Sequence, residues 1–300
     1  MTDVYAPLYE AKMLSFFDHR AADSVRGAGS QRQTVPSYLS DAEKDDPQLE
    51  VVSLYWVSEF EVEQTISDVV TSEWLLGWAD ITSATNLRSF VPCAIPRSAV
   101  GNKFPLALFA DAQCAPEFLG VCSSLVFDYL VRQKLSGITL NYFIVKQFPI
   151  PSPTQLGVAA PWQSSASISD EIRDRVRELT VTSWRMVPFA RDMGDFGPPF
   201  RWLPARREQI RAELDAMMFH VYGLDRDEVD YVLDTFTVMR KYDERDHGEY
   251  RTKRLILEYY DLLASSISSG VGYVTPISPV PGDGPRHDES TRPEWMPGVE

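Results

Sequence analysis

Three hundred residues, 44% hydrophobic and 24% charged, can bury one large core or two modest ones without disulfide or metal staples. No apolar run approaches the ~18 residues of a membrane span, and the start, MTDVYAPLYEAK, has acids where an export signal needs a basic stretch and an apolar core. Cys93, Cys114 and Cys122, odd in number and without paired spacing, read as reduced thiols of a cytoplasmic protein.

The net charge of −14 is uneven. Residues 34–79 hold ten acids against Lys44, a net of −9, whereas 80–150 hold six bases and four acids, a net of +2. Those bases (Arg88, Arg97, Lys103, Arg132, Lys134 and Lys146) fall at loops and element ends. Either they are an ordinary solvated surface, or they form a local basic face.

In chain order, a Gly/Ser/Gln-rich loop, RGAGSQRQ, leads to SDAEKDDPQ, where Pro47 and the charges argue against a regular element. LEVVSLYWV is β-branched and aromatic, which predicts a strand. Ser58 with Glu61 forms a capping-box pattern that starts a helix over EFEVEQTISDVV. EWLLGWADI and RSFVPCAIP read as strands, the second at an edge or bulge because of Pro92, and PLALFA as a further short strand. PEFLGVCSSLVFDYLVRQK, 116–134, has the spacing of one continuous helix, ended near Gly137, and TLNYFIVKQFPIP reads as extended. Residues 153–166, rich in Pro, Ser, Gln and Ala, read as a linker. Helical patterns dominate 167–265, with Asp225 in N-cap position, and 275–300 is expected to be disordered. The fold class is therefore α+β: a mixed small sheet with packed helices over 1–152 (core about 74–152), then a helical domain and a loose tail.

Several chemistries lack their residues. The chain has no Walker loop, no Gly-x-Gly-x-x-Gly and no Gly-x-Ser-x-Gly elbow. Its four histidines are scattered, His220 on an apolar helix stripe, and no metal ligand set is spaced among His and Cys. GPPF at 197–200 has the Pro-Pro-Phe of an adenine methyltransferase motif but Gly197 where a side chain must grip the base, so a helix-to-helix turn is expected there. EAK at 10–12 lacks the preceding acid of a nuclease signature. Asp18, His19 and Arg20 read as a structural trio, and Trp184, Phe189, Trp202, Phe219 and Tyr222 as core.

LYEAKMLSFFDHR, YWVSEFEVE, GWADITSATNLRSFVPCAIPRSAVGN, SSLVFDYLVRQKLSGITLNYFIVKQFPIP and RAELDAMMFHVYGLDRDEVDYVLDTF…GEYRTKRLILEYYD follow in an order that resembles a known family. The resemblance is to the C-terminal part of the adenine-specific DNA methyltransferases of type IIG restriction–modification enzymes and of the BREX and DISARM phage-defence systems. The middle segment is also similar to the target-recognition units of type I specificity subunits. The likeness covers roughly residues 5–265. The family's cofactor-binding Gly motif and catalytic Asn-Pro-Pro-aromatic motif lie upstream of everything present here, and CSS at 122–124 stands where the family commonly has Asn before Ser.

The resemblance thus implies double-stranded DNA recognition, without methyl transfer by this polypeptide. S-adenosylmethionine would belong to a separately encoded catalytic chain. Alternatively, the chain is part of a longer, active methyltransferase, or the domain has become a protein-binding regulatory module, for which the acidic stretch at 34–79 is the best support. On the first reading Arg132, Gln133 and Lys134 end a helix aimed at the duplex, and Ser136, Thr139 and Asn141 lie along the backbone. The second candidate surface is Arg88 with Arg97, Ser98, Asn102 and Lys103, where Gly101 permits close backbone approach. The competing reading makes Arg132 and Lys134 ordinary helix-end charges facing the macrodipole.

Overall fold

Short strands in the N-terminal half pair into several small sheets. In this computed structural model, which describes residues 4–24, 36–135 and 137–296, β1 (Tyr5–Tyr9) pairs antiparallel with β4 (Trp56–Ser58) and parallel with β7 (Ala99–Val100). A ribbon joins β2 (Ala22–Asp23) to β3 (Ser37–Tyr38), and an antiparallel sheet has the order β6 (Pro92–Pro96), β5 (Trp74–Trp78), β8 (Leu106–Ala107). Pro92 thus sits in an edge strand, as expected of a residue without an amide proton. All five residues of β5 are buried. Their two-residue period sends Trp74 and Leu76 into the main core, and Leu75 into a smaller one with Tyr9, Met13, Ile95 and Phe104. Gly77 is required by close approach: a Cβ there would lie 2.4 Å from the Pro105 carbonyl oxygen.

Of the helices, α1 (Asp41–Lys44) lies in the stretch where no element was expected, because Ser40 and Glu43 make a capping box ahead of Pro47. The helix α2 (Glu59–Ile66) starts where Ser58 predicts, yet Ser58 makes no side-chain cap; instead the Glu59 amide donates to the Val4 carbonyl at 2.9 Å. LEVVSLYWV is a strand only in its last residues. The helix expected over 116–134 is two, α3 (Cys114–Cys122) and α4 (Leu125–Lys134), bent by 68°. Ser124 explains the break, since its hydroxyl accepts the Phe127 amide as an N-cap and competes with helix continuation. Asn141 likewise caps α5 (Tyr142–Val145) within the segment read as extended.

The expected linker at 153–166 is structured: α6 (Pro153–Leu156), β9 (Ala159–Ala160) and β10 (Gln163–Ser167) bury Leu156, Ala160 and Trp162 in the main core. Its composition resembles a linker, but a Ser152–Gln155 capping box and three well-placed apolar residues suffice to order it. Next come α7 (Ile168–Thr180), α8 (Val187–Arg191), α9 (Pro204–Val221), α10 (Arg226–Asp234), α11 (Thr237–His247) and α12 (Arg251–Ser269). Asp225 caps α10 as predicted, while α11 went unpredicted because none of its residues is buried and it lacks an apolar stripe. Residues 275–296, expected to be disordered, are instead anchored: Ile277 and Met296 are buried in the main core, and Arg286 pairs with Asp195 at 2.6 Å. Composition misses such isolated long-range anchors.

One apolar core unites both halves, bringing Phe17, Trp74 and Leu119 together with Ile172, Phe219 and Ile256. At the α3–α7 crossing, Gly120 faces Ile172 and Val176 with no room for a Cβ. Arg20, fully buried, donates to the carbonyls of Lys44, Asp46, Leu49 and Thr182 at 2.6–2.9 Å. Asp18 pairs with Lys44 at 2.8 Å, and His19 meets the Ser183 hydroxyl at 3.1 Å. The trio therefore ties the N-terminal half to the helical half. Among the described residues no single helix is long and apolar enough to cross a membrane.

Candidate nucleic-acid interface

Much of the positive charge singled out in the sequence is directed inward. Asp128, fully buried on α4, accepts Arg88 Nε at 2.6 Å, Arg132 Nε at 3.2 Å and the Ser89 amide at 3.0 Å. Arg88 also donates to the Ser123 carbonyl and lies over the Phe16 ring at 4.4 Å. Arg132 donates to the carbonyls of Asn86 and Leu87 at 2.9 and 3.1 Å and stacks on Phe236 at 4.3 Å. Arg97 grips Glu63 with two hydrogen bonds of 2.7 and 2.8 Å and donates to the Val70 and Ser72 carbonyls. The buried Ser98 hydroxyl donates to the Pro7 carbonyl at 2.5 Å. These four side chains tie parts of the fold together, and as placed most of their donors are engaged.

The other candidates gather on one surface. The Leu140 amide donates to the Asp80 carbonyl at 2.8 Å, the Thr82 amide to the Ile138 carbonyl at 2.9 Å, and the Asp80 amide to the Lys103 carbonyl at 3.0 Å. Thr139 is half-buried in a bridge with Ile81. Lys134 Nζ, donating to the Gln147 carbonyl at 3.2 Å, joins the end of α4 to the same patch. Asn102, Lys103, Gln133, Lys134 and Asn141 are all exposed. Lys103 meets Asp80 at 3.3 Å, and the Asn141 side chain caps the Ile144 amide at 3.1 Å. Ser136 lies outside the described residues.

Four further residues border this patch. Lys146 is exposed, and neither it nor Lys134 meets a carboxylate among the described residues. Ile138 and Phe143 project outward, Phe143 with 78% of its surface exposed. Tyr142 is fixed beside them, its hydroxyl bonded to both the amide and the carbonyl of Leu106 at 3.0 Å and its ring edge-on to Trp78 at 5.3 Å. The available signal is the adjacent pair Tyr142 and Phe143 between Lys134 and Lys146, which reading the segment as a plain extended link hides.

The two decoys have structural places. Phe200 of GPPF is fully buried, with the Arg286 guanidinium over its ring at 3.7 Å, in the turn between α8 and α9. Glu10 and Lys12 of EAK pair with each other at 3.1 Å. His220 is half-buried, stacked on Tyr260 at 4.0 Å and bonded to that residue's carbonyl; burial lowers its pKa. Among the described residues no group of three or more His, Cys, Asp or Glu side chains could hold a metal ion.

Together these features define an α+β protein with a polar-aromatic face backed by a helical scaffold. No protein family matches the chain, and neither a curated protein nor a solved structure does.

Proposed function

We propose that the chain recognises double-stranded DNA through the face formed by Asn102, Lys103, Gln133, Lys134, Asn141 and Lys146. It would act as the specificity portion of an adenine-specific DNA methyltransferase of a restriction–modification or phage-defence system. The observation that carries this reading is the exposed Phe143, held by an ordered α5 and flanked by two lysines without carboxylate partners. Apolar side chains at such a position wedge between base steps, lysines neutralise phosphates, and exposed amides read base edges. Methyl transfer, with S-adenosylmethionine as donor, belongs on this reading to a separate catalytic chain or an upstream domain.

The test is binding of a randomised duplex pool at two salt concentrations. Lys134→Glu and Lys146→Glu should weaken all sequences and reduce the salt slope by about one unit or more each, while Gln133→Ala should relax one position of the site. Unchanged binding in the lysine double variant, with an unchanged melting temperature, would refute the placement.

A second reading has its own observation. Trp56 and Phe60 are exposed beside Glu59, Glu61 and Glu63, and an apolar surface rimmed by acids suits a basic protein partner. Salt-dependent duplex binding separates the two readings.

A further inference from the structure

We infer that the cleft around Arg211 is a binding site for the phosphate group of a nucleotide. Arg211 lines three adjoining cavities between α9 and the N-terminal half, the largest about 230 Å³. Its side chain is exposed within the cleft and makes no hydrogen bond or ion pair among the described residues. Most arginines of this acidic chain meet a carboxylate, which makes an unpaired guanidinium at a cavity junction unusual.

A second cation lies beside it. One helical turn away, buried Arg207 donates to the Leu179 and Phe17 carbonyls at 2.6 and 3.3 Å and pairs with no carboxylate among the described residues. Burial lowers its pKa to about 9, with Asp18 opposing the shift and Arg211 and Arg20 adding repulsion. Each carboxylate lining these cavities already has a donor: Asp18 has Lys44 at 2.8 Å, Asp41 the Trp202 indole at 2.8 Å, Glu208 Arg251 at 2.7 Å, Asp215 the Leu125 amide at 2.6 Å and Asp243 the Thr252 amide at 2.6 Å. In the innermost cavity, the buried Ser123 hydroxyl has no hydrogen-bond partner among the described residues.

The guanidinium fork matches two phosphate oxygens, a geometry that lysine lacks. Flat walls accompany the charge: Phe16, Tyr38 and Trp202 line the largest of the three cavities, Trp202 held under Arg207 at 3.6 Å. A phosphate beside a planar ring fits this lining, and a nucleotide supplies both, whether free or within DNA.

Calorimetric titration of the full chain with adenosine monophosphate, at constant ionic strength, should show binding. Arg211→Ala should weaken it about tenfold or more, since a hydrogen-bonded charge contact is lost, and Arg211→Lys should fall between. Duplex binding distinguishes the sources. If free nucleotide does not bind but Arg211→Ala weakens duplex binding and lowers its salt slope by about one unit, the phosphate is that of the DNA backbone. Nucleotide binding that survives Lys134→Glu/Lys146→Glu establishes a site separate from the proposed DNA face. Should Arg211→Ala fail to fold, Arg211→Lys decides, and binding equal to wild type then refutes the fork. Nucleotide and duplex affinities both unchanged in a folded Arg211→Ala would overturn the inference.

Discussion

Removing the Asp128 carboxylate tests how far the basic cluster of α4 is structural. Asp128→Ala leaves two guanidinium groups and the Ser89 amide without their shared acceptor. Breaking a buried ion pair from one side costs about 3–5 kcal/mol. The lower end applies here, because the Arg88 and Arg132 side chains retain 10% and 11% exposure and their remaining carbonyl partners. At roughly 2 cal/mol/K of unfolding entropy per residue, a loss of about 3 kcal/mol lowers the melting temperature by about 5 °C. Arg132→Ala, which leaves the Arg88–Asp128 pair intact, should cost about 1–2 kcal/mol. The double variant should cost at least about 1 kcal/mol less than the sum, because the two residues share one network. Chemical denaturation beside calorimetry measures all three. An Asp128→Ala protein within about 1 kcal/mol of wild type, or strictly additive costs, would refute the network.

Asp215 gives a pH-dependent case: burial raises its pKa to about 6, with Arg88, the Leu125 amide and Arg211 opposing and Asp128 adding to the rise. The folded state then holds a proton that the unfolded state releases near pH 4, so Asp215 costs stability progressively as pH rises from about 4 to 6. Asp215→Asn should therefore gain up to about 2 kcal/mol at pH 8 relative to its effect at pH 4, and an equal effect at both would contradict the assignment. Gly120→Ala places a methyl 2.5 Å from Ile172 Cγ2 and 3.0 Å from Val176 Cγ2, and should cost about 1–3 kcal/mol by denaturant titration. Deleting 276–300 removes the buried Ile277 and Met296; at up to about 1.5–3 kcal/mol each, the melting temperature should fall by several degrees, and no change would show the tail to be idle.

Elements with a strong local signal were legible in the sequence. The WLLGW strand, the edge position of Pro92 and the Asp225 cap each depend on residues adjacent in the chain. What could not be read from the sequence depends on distant partners. Arg88 and Arg132 look alike in sequence whether they face solvent or Asp128, and only the 68° bend at Ser123–Ser124, set by a serine cap, directs α4 as observed. The tail and the expected linker failed for a related reason, since single apolar anchors such as Met296 and Trp162 leave no periodic trace. Arg211 carries no motif; it stands out only once the cleft shows that its neighbours are paired or buried and it is not.

The strand β5 has a mechanical consequence. Trp74, at one end, meets Phe189 of α8 edge-on at 5.0 Å, and Trp78, at the other, meets Tyr142 in the same manner at 5.3 Å. A strut of about 13 Å thus clamps the outward face to the helical scaffold through one aromatic joint at each end. A surface braced in this way enters an encounter with its backbone already set, so little ordering entropy is lost on contact. On the proposal that this face binds DNA, selectivity would reside in a fixed template, and replacing either tryptophan with a smaller side chain should loosen discrimination between sequences before it abolishes binding.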